Sequence, residues 1–224
     1  MDGSSRNRKR LVAWLVFVGL LAAINYASRF SGGSGKGTSQ TVYEWSTFAG
    51  GMILYAIWIG VVIVIAIDRF DLFALRLPAS WGNAVGLAAA AIVGIFVWEG
   101  IVSVLPLPQS PGHEQGLTPP GWEPTHAAAF AANCVLFAVV APVVEELTFR
   151  GVGQSLLGFL GRAPSILLVG LAFGLAHGLV EALLVLVPFG IALAIVRDRT
   201  DSVLPGMVVH GLFNGIALAA AVLT

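Results

Sequence analysis

The segment APVVEELTFRG, residues 141–151, sets two adjacent glutamates and an arginine into an otherwise apolar, helix-like run. Glu146 and Arg150 are four residues apart, so on a helix they share a face and can pair. Glu145 is turned from Glu146 by about 100°. One carboxylate can therefore be held by the arginine while the other faces a different helix. A structural ion pair would account for Glu146 and Arg150, but not for the second glutamate. Pro142, one turn earlier, lacks a backbone donor and is expected to kink the helix where the glutamates enter. With Arg150 taken to mark a membrane surface, the glutamates lie roughly 6–8 Å deeper at helical rise.

Two more polar insertions join them. LVGLAFGLAHG (168–178) puts His177 four residues after Phe173, and GMVVHGLFNG (206–215) puts His210 four residues before Asn214, on one stripe of the last helix. A lone histidine in an apolar helix is commonly a hydrogen-bonded packing residue. Two of them, with an in-register asparagine and paired glutamates, point to a shared polar site. Such groups can exchange protons and donate hydrogen bonds, and two histidines with a glutamate could also hold zinc. Gly170, Gly174 and Gly178 recur at four-residue spacing, as do Gly211 and Gly215. Small-residue ridges of this kind let membrane helices approach closely, which would bring His177, His210 and Glu145 into one pocket. Ordinary glycine packing predicts the same geometry. His177 stands about 20 Å along its helix from Pro164, deeper than the glutamates by the estimate above.

These groups need elements to position them, and the composition names the medium. The chain is 57 % hydrophobic and 11 % charged, with no net charge, whereas soluble domains carry roughly 25 % charged residues. An integral membrane protein of all-α class follows: a polytopic helix bundle of one domain, with no composition suited to nucleic acid. Apolar runs long enough to approach the ~20 residues of a span lie at approximately 11–27, 48–67, 83–105, 126–147, 164–180, 182–196 and 203–223. The first follows RNRKR and is expected to be a retained anchor rather than a signal peptide, because no small-x-small cleavage site follows it. FRGVGQSLLGFLGR (149–162) is short and glycine-broken, which suits a surface or partly re-entrant helix.

Residues 28–40 are Gly/Ser-rich and read as a flexible linker; residues 106–125 form a Pro-rich loop without lysine or arginine. With the N-terminus inside, Arg6, Arg8, Lys9, Arg10, Arg69, Arg76, Arg150, Arg162, Arg197 and Arg199 fall on the inner side and only Arg29 and Lys36 on the outer. The positive-inside rule thus supports an odd number of spans and an outer C-terminus. The organisation read from this is a basic cytoplasmic tail at 1–10, three helices with linker and loop at 11–125, and a core of four spans at 126–224. Cys134, the single cysteine, excludes an internal disulfide and reads as a packed small residue. His113 and Glu114 read as solvated loop residues, His126 and Glu123 as interfacial, Glu181 as an outer-loop residue, and Glu99 as a carboxylate lining a cavity or reaching for the interface.

EELTFRG, FGLAH and HGLFN, in this order on separate spans, resemble the CAAX-protease and bacteriocin-processing family of Abi-type intramembrane glutamic proteases, with motifs EExxxR, FxxxH and HxxxN/D. RDRTDSVLPGMVVH (197–210) resembles the family's approach to the last motif, and the likeness covers residues ~126–218. It implies that Glu145 is the general base on a water that His177 helps to hold. It also implies that His210 and Asn214 stabilise the oxyanion, and that Glu146 and Arg150 orient Glu145. The implied activity is peptide-bond hydrolysis of a peptide or membrane-protein substrate, CAAX-prenyl-protease-like, without cofactor or metal; separately, the alanine-, valine- and glycine-rich composition and small size point to a prokaryotic cell membrane. Two alternatives stand beside it: a zinc-dependent membrane protease, although HExxH is absent, and a non-catalytic membrane peptide-binding or immunity protein.

Overall fold

The computed structural model describes residues 3–31, 41–106 and 121–223. Regular structure among them is entirely helical, in seven helices: α1 (Gly3–Phe30), α2 (Trp45–Ile65), α3 (Trp81–Ser103), α4 (Pro124–Leu160), α5 (Arg162–Ala176), α6 (Leu183–Thr200) and α7 (Leu204–Leu223). Five of them, α1 to α4 and α7, are long and apolar enough to cross a membrane. Helix α5 has 15 residues, and α6 ends in the charged run Arg197, Asp198 and Arg199. The chain is an all-helical membrane bundle, with Leu15, Ile53, Val64 and Val85 among the apolar side chains on its outer surface. Most of the linker at 28–40 and of the Pro-rich loop, His113 and Glu114 included, lies outside the described residues.

Helix α4 departs furthest from expectation. It does not end near residue 147 with a separate surface helix after it; one 37-residue helix continues to Leu160. Two π-helical stretches, Leu136–Val140 and Leu147–Gly153, are built into it. The wider turn of a π stretch loosens the regular ladder and leaves carbonyls free for other donors. Trp14 Nε1 donates to the Thr148 carbonyl at 2.9 Å, and Arg197 Nε donates to that of Arg150 at 3.1 Å. Phe137 and Ala138 would look to the N–H of residue 142 in π and α geometry respectively, and Pro142 has none. Helix α7 packs against both and supplies a donor to the first: Asn214 Nδ2 donates to the Phe137 carbonyl at 2.9 Å. Gly211 lies so close to the Ala138 carbonyl that a Cβ would stand 2.5 Å from its oxygen.

The continuity of α4 also changes the depth of the glutamates. Glu145 Oε2 stands 3.9 Å from His177 Nε2, so the two side chains meet at one depth. Arg150 is not a surface marker, because it is fully buried. The other nine cations expected on one side do gather at one end of the bundle, where hydrogen bonds tie the helix termini together. Arg10 donates to the Ile65 and Ile67 carbonyls at 3.2 and 2.7 Å, Arg76 to Asp201 at 2.8 Å, and Arg162 to Asp198 at 3.1 Å. Arg69 donates to both carboxylate oxygens of Asp71 at 2.8 Å, and these bonds hold that carboxyl below the usual carboxylate range.

The core behind the glutamates is built by Phe149, Phe173, Phe189 and Leu193, with α5 and α6 in backbone contact. A Cβ on Gly190 would lie 2.8 Å from the Gly170 oxygen, and one on Gly170 would lie 2.8 Å from the Ile191 nitrogen. A Gly170→Val substitution should therefore force these helices apart and cost about 1–3 kcal/mol, the range for overpacking. Thermal melting of detergent-purified protein should show a clear loss for Gly170→Val. It should show little change for Gly60→Ala, whose Cβ would have no neighbour within 4 Å.

Candidate active site

Glu145 and Glu146 face different neighbours, as their angular offset requires. Glu146 is fully buried. Its Oε1 accepts from Arg150 Nη1 at 2.7 Å and lies 3.1 Å from His210 Nδ1. Arg150 Nη2 donates to the Gly190 carbonyl at 3.1 Å, and its guanidinium carbon stands 4.3 Å from the centre of the Phe173 ring. A charge taken from water is tolerable only when paired and hydrogen-bonded, and here the pair is anchored on three other helices at once. Gly206 leaves room for it: a Cβ at that position would meet Glu146 Oε2 at 2.9 Å.

Glu145 keeps one oxygen unengaged by any close donor. Its Oε1 accepts from the Tyr55 hydroxyl at 2.9 Å, whereas Oε2 stands 3.9 Å from Nε2 of both His177 and His210. The histidine tautomers follow from their other nitrogens. His177 Nδ1 lies 2.8 Å from the Phe173 carbonyl, which can only accept, so Nδ1 carries the hydrogen. In the neutral ring, Nε2 then presents a lone pair toward Glu145. His210 Nδ1 faces a carboxylate oxygen and likewise carries a hydrogen, so His210 donates from Nε2 only as the imidazolium. Asn214 spends one amide hydrogen on Phe137 and retains a second.

A cleft of about 290 Å³ is lined by Glu145, His177, His210 and Asn214 together with Tyr55, Phe137 and Phe213. The structure thus brings five of the expected residues into one connected cluster and sets Asn214 on the wall of the same cleft. Among the described residues, no group of three or more His, Cys, Asp or Glu side chains is arranged to hold a metal ion. Glu123 pairs with His126 at 3.2 Å and Glu181 with Arg29 at 3.6 Å, both away from the cleft. Cys134 packs with Tyr43 and Leu218, and Glu99 is half-buried on α3 without lining the cleft.

The segment supplying these six residues, 127–216, matches the family model described as type II CAAX prenyl endopeptidase Rce1-like. The match agrees with the likeness that the three sequence motifs carry. No curated protein and no solved structure matches the chain. The Rce1-like segment does not build the cleft alone, because Tyr55 comes from α2. Trp58 Nε1 donates to Thr148 Oγ1 at 2.8 Å, one turn from the glutamates. Tyr55 was not singled out in the sequence, yet a hydroxyl in the middle of an apolar span must find a partner. That was its signal.

Because the Glu146–Arg150 pair is wholly desolvated, Arg150→Met should cost roughly 3–5 kcal/mol by leaving a buried carboxylate without its cation. The double variant Glu146→Gln/Arg150→Met should recover part of that loss in thermal melting. Equal destabilisation by the single and double variants would mean that packing, rather than charge, governs this position.

Proposed function

We propose that the chain is a membrane endopeptidase in which Glu145 activates a water against a peptide carbonyl. The observation that carries this reading is the 3.9 Å spacing between Glu145 Oε2 and His177 Nε2. It is too long for a direct hydrogen bond and fits one water at about 2.8 Å from each atom. Both atoms accept, so such a water gives one hydrogen to the carboxylate and the other to the imidazole. Its lone pairs are left facing the cleft. On attack, the oxygen bonds to the carbonyl carbon and one water proton passes to Glu145. When the C–N bond breaks, that proton goes to the departing amine, and a new carboxyl remains on the other product.

The developing oxyanion needs donors placed in advance. Asn214 offers its second amide hydrogen, and His210 offers Nε2–H when its ring is charged opposite Glu146. Glu146 and Arg150 touch no substrate in this scheme; they hold His210 and fix the helix that carries Glu145. No step requires a metal or a covalent intermediate. The substrate is a peptide or a membrane protein. Its chemistry beyond that is set by the apolar side chains of the cleft, Phe137 and Phe213 among them. The setting is a prokaryotic cell membrane, with the arginine-rich end cytoplasmic by the positive-inside rule.

Replacing Asn214 by Ala separates catalysis from binding. A donor that acts mainly in the transition state costs ~10²–10³ in rate when removed. Asn214→Ala should therefore lower kcat at least ~50-fold while changing substrate affinity less than ~5-fold. The Phe137 bond is lost too, so the melting temperature must be followed on the same sample. Unchanged kcat in the folded variant would remove Asn214 from the mechanism, and peptide binding without turnover by the unaltered chain would mark a binding protein instead. Activity should also survive chelators, with no stoichiometric zinc by elemental analysis. One zinc per chain, lost together with activity, would establish the metalloprotease alternative.

A further inference from the structure

The arginine-rich end of the bundle holds two adjoining cavities away from the candidate active site. The larger, about 540 Å³, lies between the first turns of α1, the α2–α3 connection and the end of α4. Its neighbour, about 310 Å³, lies among the ends of α4, α5 and α6, and both are lined by Arg69, Leu72 and Ser155. Five arginines and two aspartates line the pair, so the surplus is positive. Most of the arginines are partly neutralised: Arg162 by Asp198, Arg76 by Asp201, and Arg69 by Asp71. In the larger cavity the cationic groups keep spare capacity. Arg69 Nη1 faces only Asn7 Oδ1, at a long 3.3 Å, and Arg8 is exposed at the rim.

The other half of this cavity is apolar, formed by Leu11, Leu156 and Phe159. Phe159 is 72 % exposed, so its ring is open to contact with an acyl chain. A cavity with cations on one side and an apolar wall on the other, level with the helix ends, matches an amphiphile with an anionic head. A soluble anion would use the arginines alone and leave that wall without purpose. Arg6, Lys9 and Arg10 surround the same helix end, and clusters of this kind attract anionic lipid at a membrane surface.

We propose that this cavity binds one anionic glycerophospholipid. Its phosphate sits between Arg8 and Arg69, and its glycerol and acyl segments lie along Leu11, Leu156 and Phe159. The site is independent of the catalytic reading. It adjoins the catalytic helix, since Arg197 donates both to Ser155 Oγ at 2.9 Å and to the Arg150 carbonyl.

Native mass spectrometry of full-length protein in neutral detergent tests it, with phosphatidylglycerol and phosphatidylcholine of identical acyl chains as probes. Phosphatidylglycerol should be retained as a single adduct, at least about five-fold more tightly than phosphatidylcholine, the effect of one surface cation. Arg8→Gln should weaken phosphatidylglycerol about five-fold without changing the melting temperature or basal peptide cleavage, and Arg8→Lys should retain binding. Phe159→Ser should weaken both lipids. Equal retention of the two lipids, or indifference to Arg8→Gln, would overturn the site. Displacement of phosphatidylglycerol by millimolar glycerophosphate would also overturn it, by showing a soluble-anion pocket in place of a lipid site.

Discussion

The rest of the structure depends on the burial of one ion pair inside the bundle. Glu146 and Arg150 are both fully excluded from solvent, where an unpaired charge would cost several kcal/mol. Their contacts reach the backbone of α6 through Gly190, the ring of Phe173 on α5 and the imidazole of His210 on α7. A pair this demanding fixes the rotation of α4 and the depth of its three neighbours together. Glu145, one residue earlier, is held by that rotation in the cleft, with only Tyr55 as a close partner. The pair supports the site by geometry, whatever its net contribution to stability.

The two π stretches make this arrangement accessible to a helix. They widen α4 on either side of the glutamates and release the carbonyls of Phe137, Thr148 and Arg150, which accept from Asn214, Trp14 and Arg197 respectively. Each of those donors belongs to a different helix. A regular α-helix would keep these carbonyls for itself, and the bundle would then rely on apolar contact alone, which discriminates poorly between helix rotations in lipid. Pro142 has a related role, since the N–H it lacks is the one that Phe137 and Ala138 would otherwise use.

Much of this was legible in the sequence. The membrane class, the existence of seven helices and the convergence of Glu145, His177 and His210 followed from apolar run lengths and from polar residues that are costly in hydrocarbon. The i, i+4 pairing of Glu146 with Arg150 was readable from helical spacing alone. The course of α4 was not, because Gly151, Gly153 and Gly158 look like breakers when no packing partner is in view. In the structure the first two lie against Phe73 and Trp14, so they serve close approach rather than termination. Reading Arg150 as a surface charge followed from the same error, and it produced the apparent mismatch in depth between Glu145 and His177. The contributions of Tyr55 and Trp58 were hidden for another reason: nothing local in α2 shows which helix their polar atoms will meet.

The chemistry proposed for the cleft rests on the free oxygen of Glu145 acting as the base. Its most direct test is turnover by purified Glu145→Gln protein on a peptide that the unaltered chain cleaves, with the melting temperature measured on the same preparation. The change exchanges one carboxylate oxygen for an amide nitrogen and leaves the Glu146–Arg150 pair untouched. A folded variant without detectable cleavage is the expected result, and near-normal turnover by that variant would show that Glu145 is not the base.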